Sequence, residues 1–214
     1  MSRMLVLYVA LAAPLLIAVF LLRQNARRFA AFFVVGLTVC LLSAYINTFL
    51  SAAFGMGTAE AAVKLTPISE EVLKALPLFF FVAVFAPRRG SVVPGAMAIG
   101  LGFAMMENVS SLLGAEGSDL LIVAVIRGFS AGIMHMVCGA ALGYGLALVY
   151  KKRYLTVPVS FILLCITITC HAIYNLFVIA GGIWQMAGYM LPIAAAVAIL
   201  IAVRRPLFAF SADE

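Results

Sequence analysis

Long unbroken apolar segments are the feature that most limits what this chain can fold into. A helix needs about 20 apolar residues to cross the hydrocarbon core of a membrane, and seven segments of the sequence are long enough. They lie at about Met4–Leu22, Phe29–Phe54, Pro67–Ala86, Val92–Leu113, Leu120–Tyr150, Val157–Ala180 and Gln185–Val203. Such runs exceed the length of ordinary β-strands. The sequence therefore predicts an all-α, polytopic membrane bundle of about seven transmembrane helices.

The composition agrees with this class. Hydrophobic residues make up 66% of the 214 residues and charged residues 10%, against about 45–50% and 25% in soluble proteins. A soluble fold cannot hide that much apolar surface, and a disordered chain would be far more polar. The connections between segments are short and contain no low-complexity linker. We therefore expect residues 1–214 to form a single integral membrane domain.

The basic residues outside these segments are unevenly distributed between the two ends of the predicted bundle. One end, with the C-terminal tail, carries ten of them: Arg23, Arg27, Arg28, Arg88, Arg89, Lys151, Lys152, Arg153, Arg204 and Arg205. The other end carries only Arg3 and Lys64. Because Lys and Arg accumulate in cytoplasmic loops, the N-terminus is predicted outside and the C-terminus in the cytoplasm. The net charge of +6 then reflects topology and contact with the lipid bilayer, and no nucleic-acid partner is expected.

A small set of ionisable side chains remains inside the apolar segments. The set is Glu70, Glu71, Lys74, Glu107, Arg127, His135 and His171. A charged residue at the centre of a membrane helix costs about 2.5–3.5 kcal/mol, so such residues are usually paired and functional. At ~1.5 Å of rise per residue, His135 falls near the middle of its segment, and the glutamates and His171 lie about 4–9 Å toward the outer side. The sequence predicts one polar layer in the outer half of the membrane.

Helical spacing places several of these side chains on shared faces. Glu70 and Glu71 precede Lys74 by four and three residues, so all three can pair. The other positions aligned at one-turn intervals are Phe103 with Glu107, and Thr167 with His171 and Asn175. Two glycine pairs flank His135 and predict close helix approach there, Gly128 with Gly132 and Gly139 with Gly143.

Two histidines and several carboxylates on facing helices suit a zinc hydrolase. In this interpretation Glu107, His135 and His171 hold a zinc ion and leave its fourth position to a water. The general base that activates the water is Glu70 or Glu71.

The same residues also fit interpretations without a resident metal. A buried glutamate can deprotonate a water while a histidine and Asn175 stabilise the oxyanion. Alternatively, the cluster could relay protons or bind a cation in a small membrane transporter or channel.

Four short motifs follow one another across about Pro67–Phe177. They are Glu70-Glu71-Val72-Leu73-Lys74, Phe103-Ala104-Met105-Met106-Glu107-Asn108, His135 preceded by Arg127, and His171-Ala172-Ile173-Tyr174-Asn175. In order and spacing the set resembles the E-E-x-x-K, F-x-x-x-E-N, H and H-x-x-x-N pattern of the PrsW intramembrane proteases. The related CAAX prenyl proteases carry E-E-x-x-x-R and a histidine at the end of the second motif, and Lys74 and Glu107 depart from that pattern.

The resemblance implies a bacterial plasma-membrane endopeptidase with a catalytic core at about 67–180. Family members make the first cut in a single-pass anti-sigma factor near its extracytoplasmic side, which starts a stress response. By resemblance, a water is activated by Glu70 or Glu71. Metal ligands or polar catalytic partners are then Glu107, His135 and His171, with Asn175 assisting. Lys74, Phe103, Asn108 and Arg127 are expected to support this site.

The topology can be tested without knowing the substrate. A reporter that is active only in the cytoplasm should give a strong signal when it is fused after Arg153, because this loop carries Lys151 and Lys152. A periplasmic reporter fused at the same point should stay inactive. The reverse pattern would contradict the predicted orientation.

Overall fold

The computed structural model describes residues 3–114 and 120–203, and every regular element in these two ranges is a helix. The helices are α1 (Arg3–Leu21), α2 (Gln24–Ala53), α3 (Thr58–Lys64), α4 (Thr66–Phe85), α5 (Arg89–Gly114), α6 (Leu120–Phe129), α7 (Ala131–Val149), α8 (Arg153–Ala180) and α9 (Gly182–Val203). Each predicted apolar segment is helical. The short helix α3 lies in the connection between α2 and α4 and was not predicted.

Several helices are able to cross a membrane. Within the described ranges, five stretches are long and apolar enough: 24–53, 89–114, 120–149, 154–180 and 182–201. The apolar part of α1 is shorter, at Tyr8–Leu21, and α4 contains Glu70, Glu71 and Lys74. A polytopic helical membrane bundle is therefore confirmed, while the number seven and the orientation stay predictions. Arg204 and Arg205, which contributed to the orientation, lie outside the described residues.

The fifth predicted segment is bent. α6 ends at Phe129 and α7 begins at Ala131, with Ser130 between them at φ −108° and ψ −75°. The Ser130 hydroxyl donates to the carbonyl oxygen of Ile126 at 2.7 Å, and back-bonding of this kind often bends helices. As a result, Arg127 and His135 belong to different elements.

α5 packs between α2 and α7, and glycines allow the three backbones to approach closely. A Cβ atom on Gly100 would lie only 2.5 Å from the carbonyl oxygen of His135. Between α2 and α5, a Cβ atom on Gly36 or Gly102 would also meet the facing backbone. These contacts fix the spacing of the helices that carry Glu107 and His135.

The two predicted glycine pairs on α6 and α7 differ in their surroundings. A Cβ atom on Gly139 or Gly143 would lie 2.6 Å from an atom of Ala96 on α5, so this pair does mediate close approach. A Cβ atom on Gly128 would meet nothing within 4 Å, and one on Gly132 nothing nearer than 3.7 Å. The prediction was wrong for the first pair, because the bend at Ser130 separates Gly128 from the packed part of the span.

Substitution of the two kinds of glycine should have different effects on stability. Gly139→Ala is expected to lower the free energy of unfolding by about 1–3 kcal/mol, because its methyl group would clash with the α5 backbone. Gly128→Ala is the matched control and should be neutral or slightly stabilising, because alanine favours helix over glycine. Unfolding in detergent, followed by circular dichroism, measures both. Equal stability of the two variants would contradict this account of the α5–α7 contact.

Candidate active site

α4 brings three ionisable side chains into the protein interior. Pro67 lies in its first turn, where a missing backbone N–H costs nothing. Glu70, Glu71 and Lys74 follow it, and each is less than a tenth exposed. The ammonium Nζ of Lys74 lies 2.5 Å from Oε1 of Glu71. This ion pair supplies part of the compensation that a buried charge requires.

Lys74 also contacts His135 on α7. Its Nζ lies 2.9 Å from Nδ1 of His135 and 4.6 Å from the centre of the Phe103 ring. An ammonium group can only donate hydrogen bonds, so Nδ1 of His135 must be the acceptor. In a neutral ring the hydrogen then lies on Nε2. Phe103, fully buried on α5, adds a cation–π contact to the ammonium.

His171 on α8 lies on the other side of the α4 glutamates. Its Nδ1 is 2.9 Å from Oε1 of Glu71, and its Nε2 is 3.9 Å from Oε2 of Glu70. A carboxylate accepts hydrogen bonds, so Nδ1–H donates to Glu71, and in a neutral ring the Nε2 lone pair is left free. Oε2 of Glu70 is buried and has no hydrogen-bond partner.

Glu107 on α5 contacts the ring nitrogen of His135 that Lys74 does not contact. Its Oε2 lies 2.5 Å from Nε2 of His135, and its Oε1 lies 2.7 Å from Nη2 of Arg127 on α6. Nε of Arg127 donates to Oδ1 of Asn108 at 3.1 Å. Glu107 and Arg127 are 31% and 26% exposed, so this end is the more open one.

The contacts form one chain through five helices, which we call the polar network. In order, it comprises Arg127, Glu107, His135, Lys74, Glu71 and His171. The rings of His135 and His171 also meet edge to face, with centroids 5.1 Å apart. Glu70 lies beside the network with one oxygen unpaired. The ionisable residues that the sequence assigned to one layer are therefore brought together.

Asn175 has a different setting. Its side-chain Nδ2 donates to the backbone carbonyl of Ala62 on α3 at 2.8 Å. The contact ties α8 to the short helix α3, one turn beyond His171. This amide hydrogen is therefore used for packing, although the sequence had suggested an oxyanion donor.

Two further polar groups were missed by the sequence reasoning. Tyr174, next to Asn175, is buried and lies 3.1 Å from the Ser130 hydroxyl at the bend between α6 and α7. Ser43, also buried, accepts from Asn47 at 3.2 Å, and Asn47 in turn accepts from Ser69 on α4. The spacing of Ser43 and Asn47, one turn apart in an apolar helix, was the available signal.

Among the described residues, one group of side chains is suited to bind a metal ion. Ligand atoms of Glu70, His135 and His171 all lie within 4.8 Å of one another. The predicted ligand set differs in its carboxylate: Glu107 is not part of this group, and its two oxygens engage Arg127 and His135. One carboxylate and two imidazoles suit zinc, and the unpartnered oxygen of Glu70 fits such a site.

The lone pairs of this trio are not equally available. Oε2 of Glu70 and Nε2 of His171 can accept as they stand. Nε2 of His135 carries the hydrogen that it donates to Glu107, so His135 becomes a ligand only in its other neutral tautomer, with the hydrogen on Nδ1 and Lys74 no longer donating there. The site therefore fits a metal held first by Glu70 and His171.

Fold and site together define a polytopic helical membrane protein with a buried cluster of carboxylates and imidazoles. The chain belongs to the PrsW family: residues 24–203 match the family described as PrsW family intramembrane metalloprotease. This confirms the resemblance found in the motifs, and it favours a protease over a transporter or channel. No curated protein and no solved structure matches the chain.

Lys74 contacts both Glu71 and His135, so its substitution should have a strong effect on stability. Lys74→Met should lower the free energy of unfolding by about 3–5 kcal/mol, because Glu71 would be left as an uncompensated buried charge. The double variant Lys74→Met/Glu71→Gln removes both charges and should recover part of the loss. Denaturation in detergent micelles measures both variants. A single variant as stable as the wild type would contradict the pairing.

Proposed function

We propose that this protein is an intramembrane endopeptidase that hydrolyses a peptide bond of a single-pass membrane protein, with Glu70 as the base. Family membership supports the peptidase activity. The observation that carries the assignment of the base is the buried, unpartnered Oε2 of Glu70, 3.9 Å from Nε2 of His171. A base must have a free lone pair where the water binds.

The two adjacent glutamates have separate roles in this proposal. Oε1 of Glu71 already accepts from Lys74 at 2.5 Å and from His171 at 2.9 Å. Its position is fixed by these bonds, so Glu71 orients His171 and keeps its Nε2 lone pair directed toward the site. Carboxylate–histidine pairs have this function in many hydrolytic sites. Glu70 is therefore the glutamate that accepts the proton of the water.

The proton transfers follow from these assignments. Glu70 takes a proton from the attacking water, and the oxygen of that water bonds to the carbonyl carbon of the scissile peptide. Glu70 then gives the same proton to the leaving nitrogen as the carbon–nitrogen bond breaks. His171 accepts a hydrogen bond at Nε2 and holds the water beside Glu70. The charge that develops on the carbonyl oxygen needs a cation or N–H donor nearby.

A divalent metal such as zinc would be held by Glu70 and His171, with His135 as a third ligand in the tautomer that carries its hydrogen on Nδ1. When bound, the ion would supply Lewis acidity that lowers the pKa of water and stabilises negative charge on oxygen. Glu71 would then act from behind His171 by fixing its tautomer. Proton acceptance would fall to a carboxylate that does not bind the ion, and Glu107 is the nearest one to His135.

The substrate that we propose is a single-pass membrane protein such as an anti-sigma factor, cut near its extracytoplasmic side in a bacterial plasma membrane. One prediction and one observation support this choice. From their depth along their segments and the predicted orientation, the ionisable residues are expected in the outer half of the bilayer. The more exposed end of the polar network, at Glu107 and Arg127, is where we propose that an unwound peptide approaches the site.

Cleavage by glutamate variants tests the assignment of the base. The protein is reconstituted in liposomes with a panel of fluorescent single-pass peptides that vary in their outer third, and products are located by mass spectrometry. Glu70→Gln should lower the rate by about 10²–10⁴-fold, because the amide cannot accept the proton. Glu71→Gln should lower it by about 10–100-fold, because His171 loses its orienting partner. Glu60→Gln, on the exposed face of α3, is the matched control and should cleave normally.

The same preparations decide the role of a metal. About one zinc per wild-type chain, lost in His171→Ala and in Glu70→Gln, would support the metal-bound form of the site. Full cleavage by metal-free wild type would instead support a base that acts without an ion. If Glu70→Gln cleaved as fast as the wild type, the proposed base would be wrong. Absence of any cleavage by the wild type across the panel would count against the proposed substrate class.

A further inference from the structure

We infer that Arg127 is a positioning residue that holds the Glu107 carboxylate against His135, so that the Nε2–H of His135, whose Nδ1 accepts from Lys74, keeps its hydrogen-bond acceptor. The inference rests on the proposed function, because it concerns the same site. Arg127 lies on α6, outside the buried part of the polar network, and reaches two consecutive residues of α5.

The contact uses the planar shape of the guanidinium group. Nη2 of Arg127 donates to Oε1 of Glu107 at 2.7 Å, and Nε donates to Oδ1 of Asn108 at 3.1 Å. Two donors in one rigid plane meet two acceptors on neighbouring residues, so the orientation of the group is fixed. A lysine could supply the charge but only a single, flexible point of contact.

This anchoring determines the direction of the second Glu107 oxygen. With Oε1 held by Arg127, Oε2 lies 2.5 Å from Nε2 of His135. Lys74 donates to Nδ1 of the same ring, so the hydrogen lies on Nε2 and requires an acceptor there. Glu107 is nearly one-third exposed. Without Arg127, its carboxylate would gain hydration by turning away from His135.

The position of α6 therefore affects the chemistry of α7. None of the ten residues of α6, all of which are described, is buried, and Arg127 is the only charged residue among them. The helix is joined to α7 at the bend of Ser130. Arg127 thus connects a helix without buried residues to the histidine at the centre of the site.

The two histidines make this inference directly measurable. The sequence has no others, so labelling with ¹⁵N-histidine leaves only the ring nitrogens of His135 and His171 to assign, and a His171→Gln sample separates them. In the wild type, Nε2 of His135 should give the signal of a hydrogen-bonded N–H, and Nε2 of His171 that of a free lone pair. In Arg127→Met, the Nε2 signal of His135 should move from that of a hydrogen-bonded N–H toward that of an unbonded N–H, while the His171 signals stay unchanged.

Additional variants separate positioning from a general effect on folding. Arg127→Lys should restore the His135 signal only in part, and Asn108→Ala should weaken it without changing any charge. Arg28→Met removes an exposed arginine at the start of α2 and is the charge-matched control. If Arg127→Met fails to fold, Asn108→Ala and Arg127→Lys still decide the question. Unchanged His135 signals in every folded Arg127 and Asn108 variant would overturn the inference.

Cleavage kinetics give a second readout on the peptide that the wild type cuts best. Arg127→Met should lower kcat by about 10–100-fold, as loss of an outer partner of a site residue commonly does, with KM unchanged. A raised KM with normal kcat would show that Arg127 binds substrate instead, and would overturn the positioning role. The NMR result does not depend on cleavage. Failure of the proposed function and failure of this inference can therefore be distinguished.

Discussion

The ammonium group of Lys74 lies within hydrogen-bonding distance of both Glu71 and His135, and the arrangement of the site depends on that double contact. On one side it neutralises a buried carboxylate that orients His171. On the other side it occupies Nδ1 of His135 and leaves the hydrogen of that ring facing Glu107. One cation therefore gives the two imidazoles opposite tautomers. Both histidines are buried, but only His171 has a ring nitrogen with a free lone pair.

Close packing of the helix backbones keeps these side chains within hydrogen-bonding distance of one another. Hydrogen bonds of 2.5–2.9 Å between side chains on different helices tolerate little displacement of the helices. The approach of α5 to α2 and α7 depends on glycines whose missing side chains leave backbone against backbone. The polar network thus lies on a part of the bundle that cannot readily adjust. α6, which has no buried residue, is different in this respect.

The sequence predicted the class of fold and the clustering of the ionisable residues, because both depend on signals carried by single residues. An apolar run of about 20 residues has few alternatives to a membrane helix, and an ionisable residue within it must find a partner. The rotation of each helix about its own axis is not determined by such single-residue signals. Adjacent residues differ by about 100° around a helix axis, so Glu70 and Glu71 could not be assigned separate partners. For the same reason, the sequence could not show that Glu70, and not Glu107, lies in one group with both imidazoles. The contact of Asn175 with Ala62 was hidden because α3 has only seven residues and no apolar run.

The charges on α4 also affect how the chain can enter the membrane during synthesis. Glu70, Glu71 and Lys74 leave the ribosome before α7 and α8, which supply His135 and His171. At that stage the 2.5 Å pair within α4 is the only part of the network that can form between these residues. A pair spaced three residues apart needs no other helix, so it lowers the cost of transfer from the translocon while the partners are still missing. Glu70 has no such local partner, and we expect α4 to remain close to the protein-lined side of the translocon until the later helices arrive. The proposed base is thus also the residue for which we expect insertion of α4 to depend on the later arrival of α7 and α8.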